Sequence, residues 1–337
     1  MRRGSVVQLV LFALVAGGVA AALAVVPGWL PTPAGREAGR IDFVFWFVTG
    51  ICIFVFSIVA AVSVYAVWKF RVAPDDDSDG PPIHGHTGLE ITWTAIPTAL
   101  VVAIAIVSAI VLAKNGNAGR NPMRVDVTAQ QFAWSFSYPG HGSLTSGDLR
   151  LPVGRKVELR LKSLDVIHSF WVPEFGQKQD TVPGLTTKLV ITPDRVGTYP
   201  VICTELCGLG HAVMRTSAIV MQPAAFDAWV NKQGKAVSGG GAQAGKAVFA
   251  NNGCNACHTL KAAGATAKVG PDLDRLPGEA KGAGKPLEAF VRESIVDPNA
   301  YVAPGYPKNV MPSTFSQLPK KQLDALVQYL VTSSKQG

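Results

Sequence analysis

Two short stretches hold most of the soft chemistry in this chain. The first, "CTELCGLGHAVM", sets Cys203, Cys207, His211 and Met214 at intervals of four, four and three residues. Thiolate, imidazole and thioether together select a soft transition metal, copper above all. The second, "CNACH", runs from Cys254 to His258. C-x-x-C-H is the attachment signature of a c-type haem, with Cys254 and Cys257 forming thioethers and His258 the axial ligand. Each stretch has an ordinary alternative. A Cys203–Cys207 disulfide is permitted in an exported compartment, and C-x-x-C also occurs in zinc and redox sites. The zinc reading wants a second ligand pair and the redox reading a βαβ context, and neither is present near Cys254. The fifth cysteine, Cys52, lies in a long apolar run and reads as a small packing residue.

Elements must position these groups, and the composition bounds them. The chain has 337 residues, 48% of them hydrophobic and only 16% charged, with 31 Lys and Arg against 23 Asp and Glu. That is too apolar for an ordinary soluble protein. No Lys/Arg block with interleaved aromatics points to nucleic acid, and no nucleic-acid partner is expected. Residues 1–26, with Arg2 and Arg3 before an apolar stretch, read as a signal peptide or an additional membrane segment. Two uncharged runs, Phe43–Trp68 and Ile91–Ala113, are each long enough to span a bilayer, for which about 20 residues suffice. They predict a transmembrane helical hairpin over 41–113. Lys69 and Arg71 place its connection, which also carries Asp75–Asp77, in the cytoplasm. Everything after Ala113 is then exported.

From Met123 the texture becomes β-branched and aromatic with period-two stretches, punctuated by "PGHG", "VPG" and "RVG". An all-β Greek-key sandwich or barrel is predicted over 122–230. His168 stands at the end of a predicted strand upstream of the Cys203–Met214 segment, so a distant histidine joins a Cys-His-Met loop, as in β-sandwich copper sites. A single-copper site of the blue type needs one cysteine, and this chain offers two. A Gly/Ser/Ala-rich stretch, 231–243, reads as a flexible linker. An all-α domain over 244–335 comes next, its last helix carrying Leu323, Leu326, Val327 and Leu330 on one face.

The run C-x-E-x-C-x-x-x-H-x-x-M with an upstream "HSFWVPE" resembles the binuclear CuA centre of cytochrome c oxidase subunit II, and the tail is similar to a small monohaem cytochrome c. The resemblance covers nearly the whole mature chain. It implies a cupredoxin-like domain in which Cys203 and Cys207 bridge two coppers, His168 and His211 each supply an imidazole, Met214 is a weak ligand and Glu205 binds through its carbonyl. Glu205 is further expected to offer its carboxylate to a magnesium ion at the subunit I interface. In the tail, "VGPDL" supplies Pro271, which steadies the axial histidine, and "VMPSTF" supplies Met311 as the distal ligand. A His/Met pair raises the haem potential, which suits a donor. Glu90, in "LEITWTAIP", matches the residue near the mouth of a proton-uptake path, and Lys178 and Asp180 match positions near the exit side.

The resemblance implies a proton-translocating terminal oxidase in a bacterial cell membrane, multi-pass, with both metal domains on the outer face. Its partners would be subunit I, which holds the oxygen-reducing site, other oxidase subunits, and a donor such as a quinol–cytochrome c reductase or a soluble cytochrome. Two departures stand out. Phe132 in "QFAW" replaces a tryptophan associated with electron uptake from soluble cytochrome c, leaving Trp134, and Leu185 replaces a usual arginine. A haem on a tether faces its acceptor at an effective concentration on the order of millimolar, so Phe132 is expected to serve a captive cytochrome. A stand-alone membrane-anchored carrier and a thioredoxin-like copper-delivery protein are the rival readings. A nitrous oxide reductase would need a second, histidine-rich copper domain, for which six histidines do not suffice.

Overall fold

The computed structural model describes residues 3–71, 82, 84–142, 144–238 and 241–335; Asp75–Asp77 of the hairpin connection lie outside them. The chain divides into two compact units, one of residues 1–32 and 39–115, the other of 33–38 and 116–337.

The first unit is helical: α1 (Arg3–Val25), α2 (Arg36–Lys69) and α3 (Thr87–Gly116). All three are long and apolar enough to cross a membrane. Helices α2 and α3 outrun the uncharged stretches because Arg36, Glu37, Arg40 and Lys114 are good helix formers that a hydropathy reading passes over. Helix α1 lies against α2: the Phe12 ring meets Trp68 edge-on at 6.2 Å, and Gly17 abuts Ser57, whose hydroxyl donates to Ile53 O at 2.6 Å. Arg40 Nη1 donates to Asn115 Oδ1 at 2.6 Å. Glu90 sits in the first turn of α3 and accepts from the His86 N–H at 3.1 Å. A carboxylate there favours the positive end of the helix dipole.

In the second unit, ten strands form a sandwich: β1 (Met123–Gln130), β2 (Ala133–Tyr138), β3 (Leu144–Ser146), β4 (Leu149–Pro152), β5 (Val157–Ser163), β6 (His168–Trp171), β7 (Lys178–Thr181), β8 (Thr187–Ile191), β9 (Gly197–Cys203) and β10 (Arg215–Met221). One sheet runs β3-β2-β1-β5-β8, the other β4-β10-β9-β6-β7. The β1–β5 and β4–β10 pairs are parallel and the others antiparallel. Alternation sends Trp134, Phe136 and Tyr138 of β2 and Val157, Leu159 and Leu161 of β5 inward, as period-two patterning requires. Residues 33–38 belong with this unit: the Ala34 N–H donates to Glu174 O at 2.8 Å, and the buried Glu37 carboxylate accepts from Thr192 N–H at 2.7 Å and Thr192 Oγ1 at 3.0 Å.

The stretch expected as a flexible linker, 231–243, carries helix in its described residues. Helix α4 (Pro223–Ser238) runs through most of it, and α5 (Gly241–Asn251) begins two residues before its end. Composition misleads because Gly, Ser and Ala make up more than half of 231–243 taken alone, whereas the helix is anchored upstream. Phe226 and Trp229, three apart and so on one face, pack on Tyr138, and the Arg150 guanidinium lies 5.4 Å over the Trp229 ring. Phe226 is buried in the β core. Phe226→Ala should therefore destabilise the β domain by about 3 kcal/mol, read as a lower calorimetric midpoint of the full-length chain.

The C-terminal domain continues with α6 (Cys254–Cys257), α7 (Leu276–Gly282), α8 (Leu287–Val296) and α9 (Lys320–Ser333). Helices α5 and α9 pack together around a second core that includes Phe249, Phe290, Leu326, Val327 and Leu330.

Candidate metal centres

Cys203 ends β9, and its neighbour β6 begins with His168, so sheet pairing alone brings the distant histidine to the loop after β9. The loop returns through Met214, whose carbonyl accepts from the Cys203 N–H at 3.3 Å. Cys203 Sγ lies 3.9 Å from His168 Nδ1 and 3.8 Å from Cys207 Sγ. Cys207 Sγ lies 3.6 Å from His211 Nδ1 and 3.8 Å from Met214 Sδ. The Glu205 carbonyl is 3.3 Å from Cys203 Sγ, while the Glu205 side chain is exposed. Both thiols are free, far beyond the ~2.05 Å of a disulfide. His168 and Met214 are fully buried and both cysteines nearly so. Two thiols flanked by two imidazoles, a thioether and a carbonyl fit copper, and the two sulfurs suit a bridged pair.

The electrostatics of the thiols differ. Burial works against ionising Cys203, yet hydrogen bonding led by His168 brings its pKa down to about 6. Burial, with the neighbouring Cys203 charge, pushes Cys207 up to about 12.

Asp165 is a participant that sequence reasoning missed. Its Oδ1 is 2.8 Å from His168 Nε2, and this contact holds the imidazole pKa up against the opposing effect of burial. The other ring nitrogen, Nδ1, is left facing Cys203. Outer partners of this kind fix ring orientation and tautomer, and their loss typically costs about 10–100-fold in metal affinity. Asp165→Asn should weaken copper binding at the low end of that range, about tenfold, as measured by competition with a chelator. The only signal in the sequence is an acid three residues before the histidine, a spacing too common to single out.

Phe132 and Trp134 are both buried. The Phe132 ring lies directly on Gly210, where any Cβ would collide with it. Trp134 packs edge-on to Phe170 at 5.5 Å and against the His168 ring at 6.2 Å. On β7, Asp180 accepts from Ser169 Oγ at 2.7 Å. Leu185 is exposed.

The second centre is a cavity of the C-terminal domain. Cys254, Cys257, His258 and Met311 line it together with Leu276, Phe290, Val291, Ile295, Leu326 and Leu330. His258 Nδ1 donates to Pro271 O at 2.8 Å, which leaves Nε2 as the ligating nitrogen. Gly270 makes room for the ring: a Cβ there would stand 2.7 Å from His258 Cε1. Burial lowers the His258 pKa and raises both thiols, Cys254 to about 12, as an apolar surround requires. Two attachment thiols, an oriented imidazole and a thioether around one apolar cavity fit a covalently held haem. Gln130, Gln131, Phe132 and Ala133, from the turn between β1 and β2, also line this cavity.

Comparison with known proteins agrees along the chain. Residues 33–111 match the profile of cytochrome c oxidase subunit II, transmembrane domain; residues 144–222 that of its periplasmic domain; and residues 242–334 that of cytochrome c. Cytochrome c oxidase subunit 2 of Alkalihalophilus pseudofirmus is 34% identical over 288 residues, 81% of each chain. Its counterpart in a Synechocystis species is 34% identical over 250 residues, 60% of this chain and 75% of the relative. The crystal structure of the periplasmic domain of cytochrome oxidase subunit II from Bradyrhizobium japonicum aligns at 26% identity, covering 35% of this chain and 98% of that one, with a TM-score of 0.34.

Proposed function

This chain belongs to the cytochrome c oxidase subunit 2 family, components of a haem–copper terminal oxidase, and carries a C-terminal cytochrome c domain. On that footing we propose that it takes electrons at the C-terminal domain and relays them through the β domain to a partner subunit I, where oxygen is reduced to water and protons are pumped. The observation that carries the reading is the shared wall. Residues 130–133 line the cavity holding Cys254, His258 and Met311, while Phe132 rests on the loop holding Cys207 and His211. Bound copper and bound haem would each supply one-electron redox chemistry, and the chain's own residues do the rest.

Cys203, Cys207, His168, His211, Met214 and the Glu205 carbonyl would hold a binuclear CuA, set in a two-sheet frame that resists rearrangement when charge changes. Cys254 and Cys257 would attach the haem and His258 and Met311 would ligate it, the Pro271 carbonyl fixing the His258 ring. Phe132 and Trp134 fill the space beside the copper loop and exclude water from it. The exposed Glu205 carboxylate would be available to magnesium at the subunit I interface. Leu206 and Leu209, 80% and 89% exposed on the same loop, give that face the apolar surface of an interface. Glu90 would stand at the mouth of the proton path. The three apolar helices would cross the membrane, with both metal domains on its outer face and a quinol–cytochrome c reductase or soluble cytochrome as donor.

The test is metal analysis with optical and electron paramagnetic resonance spectroscopy on the full-length chain matured with copper and haem. Two coppers per haem with a seven-line mixed-valence pattern would support the relay. One copper or none beside a normal haem spectrum would sink the CuA assignment.

A further inference from the structure

Gln131 touches more of this assembly than any motif reveals. Its side-chain amide Nε2 donates to the Cys207 carbonyl at 2.6 Å. Its backbone N–H donates to Asp165 Oδ2 at 2.6 Å, and the other oxygen of that carboxylate is the one beside His168. The residue thus reaches both the loop bearing Cys207 and the strand bearing His168. It also lines the cavity of the C-terminal domain, next to Phe132 and Ala133. That domain fits closely at this wall. A Cβ on Gly253, beside the first attachment cysteine, would stand 2.6 Å from the Ala133 Cβ, and Val310, beside Met311, packs against the β core.

We infer that Gln131 is a positioning residue that couples copper occupancy of the β domain to the order of the haem-side cavity wall. The inference rests on the proposed copper and haem assignments. Its cause is geometric: a carbonyl held by a side-chain amide fixes the backbone at Cys207, and the same residue holds the turn against which the C-terminal domain packs. Binding at one face and order at the other are then reciprocally linked. Nothing in the local sequence marks the residue, because its partners lie 34 and 76 positions away.

The experiment uses the full-length, haem-loaded chain in detergent and titrates copper against a chelator. Gln131→Leu keeps the bulk and removes the donor. Gln131→Glu keeps the shape and offers an acceptor where a donor is needed. Both should bind copper about 10–100-fold more weakly and change the copper hyperfine splitting, with the haem α band unmoved. Copper loading should slow amide exchange over residues 130–133 and around Val310 in the wild type and much less in either variant. Gln177→Leu is the control for general destabilisation, since Gln177 Nε2 bonds Val190 O at 2.9 Å away from the copper loop. If Gln131→Leu and Gln131→Glu lose thermal stability like Gln177→Leu but keep wild-type copper affinity, hyperfine splitting and exchange response, Gln131 is only structural and the inference is overturned. A wild-type chain that binds no copper pair overturns the functional reading itself, and the inference with it.

Discussion

If the proposed CuA assignment holds, Cys207→Ser should bind one copper in place of two, and the electron paramagnetic resonance signal should collapse from seven lines to four. The lost thiol is the one whose sulfur lies 3.6 Å from His211 Nδ1 and 3.8 Å from Met214 Sδ. A serine hydroxyl is a hard, neutral donor and does not bridge soft copper ions. The residue pair left behind is Cys203 beside His168, the thiolate and imidazole of a single-copper site. The loss in affinity for the second ion should exceed the ~100-fold that marks the upper range for outer partners, because the proposal makes Cys207 a direct ligand. The haem spectrum reports on a different domain and should be unchanged. A variant that keeps two coppers and the seven-line pattern would show that Cys207 does not bridge.

Gly270→Val carries the largest effect expected in the C-terminal domain. A Cβ added at this position would stand 2.7 Å from His258 Cε1, 2.9 Å from Nδ1 and 3.1 Å from Nε2. Two further methyl groups leave the imidazole no place beside the 270–271 backbone, so the ring must swing away and surrender its bond to Pro271 O. Overpacking of this kind costs about 1–3 kcal/mol, and it would also displace the nitrogen proposed to ligate the haem. The variant should show a high-spin haem while copper binding stays native. Optical spectra over the α and charge-transfer regions read the spin state directly. A low-spin spectrum indistinguishable from the native one would mean that the ring has room the structure does not show.

The soft side chains are legible in the sequence because their types are rare and those of the copper loop fall within one short segment. The apolar runs are legible because nothing interrupts them. Asp165 and Gln131 are not, since their importance lies in contacts made by sheet pairing and by a loop folding back across the sandwich. No periodicity encodes those contacts. Trp134 illustrates a different limit: its type is visible, but only the packed structure shows it buried against His168 and Phe170, with its indole N–H lacking a partner among the described residues. Helix α4 escapes a reading of composition for a third reason. Phe226 and Trp229, which lie before the Gly-rich stretch, anchor its first turns on the sandwich.

That helix alters the mechanics of delivery. Sixteen residues in α-helical form span about 24 Å as a stiff strut, clamped to the sandwich at one end through Phe226 and Trp229. A strut does not sweep a volume as a leash does. If the C-terminal domain donates electrons as proposed, the wall it shares with residues 130–133 sets a fixed gap in place of a search, and the transfer rate should barely respond when glycerol or sucrose raises the viscosity of the solvent.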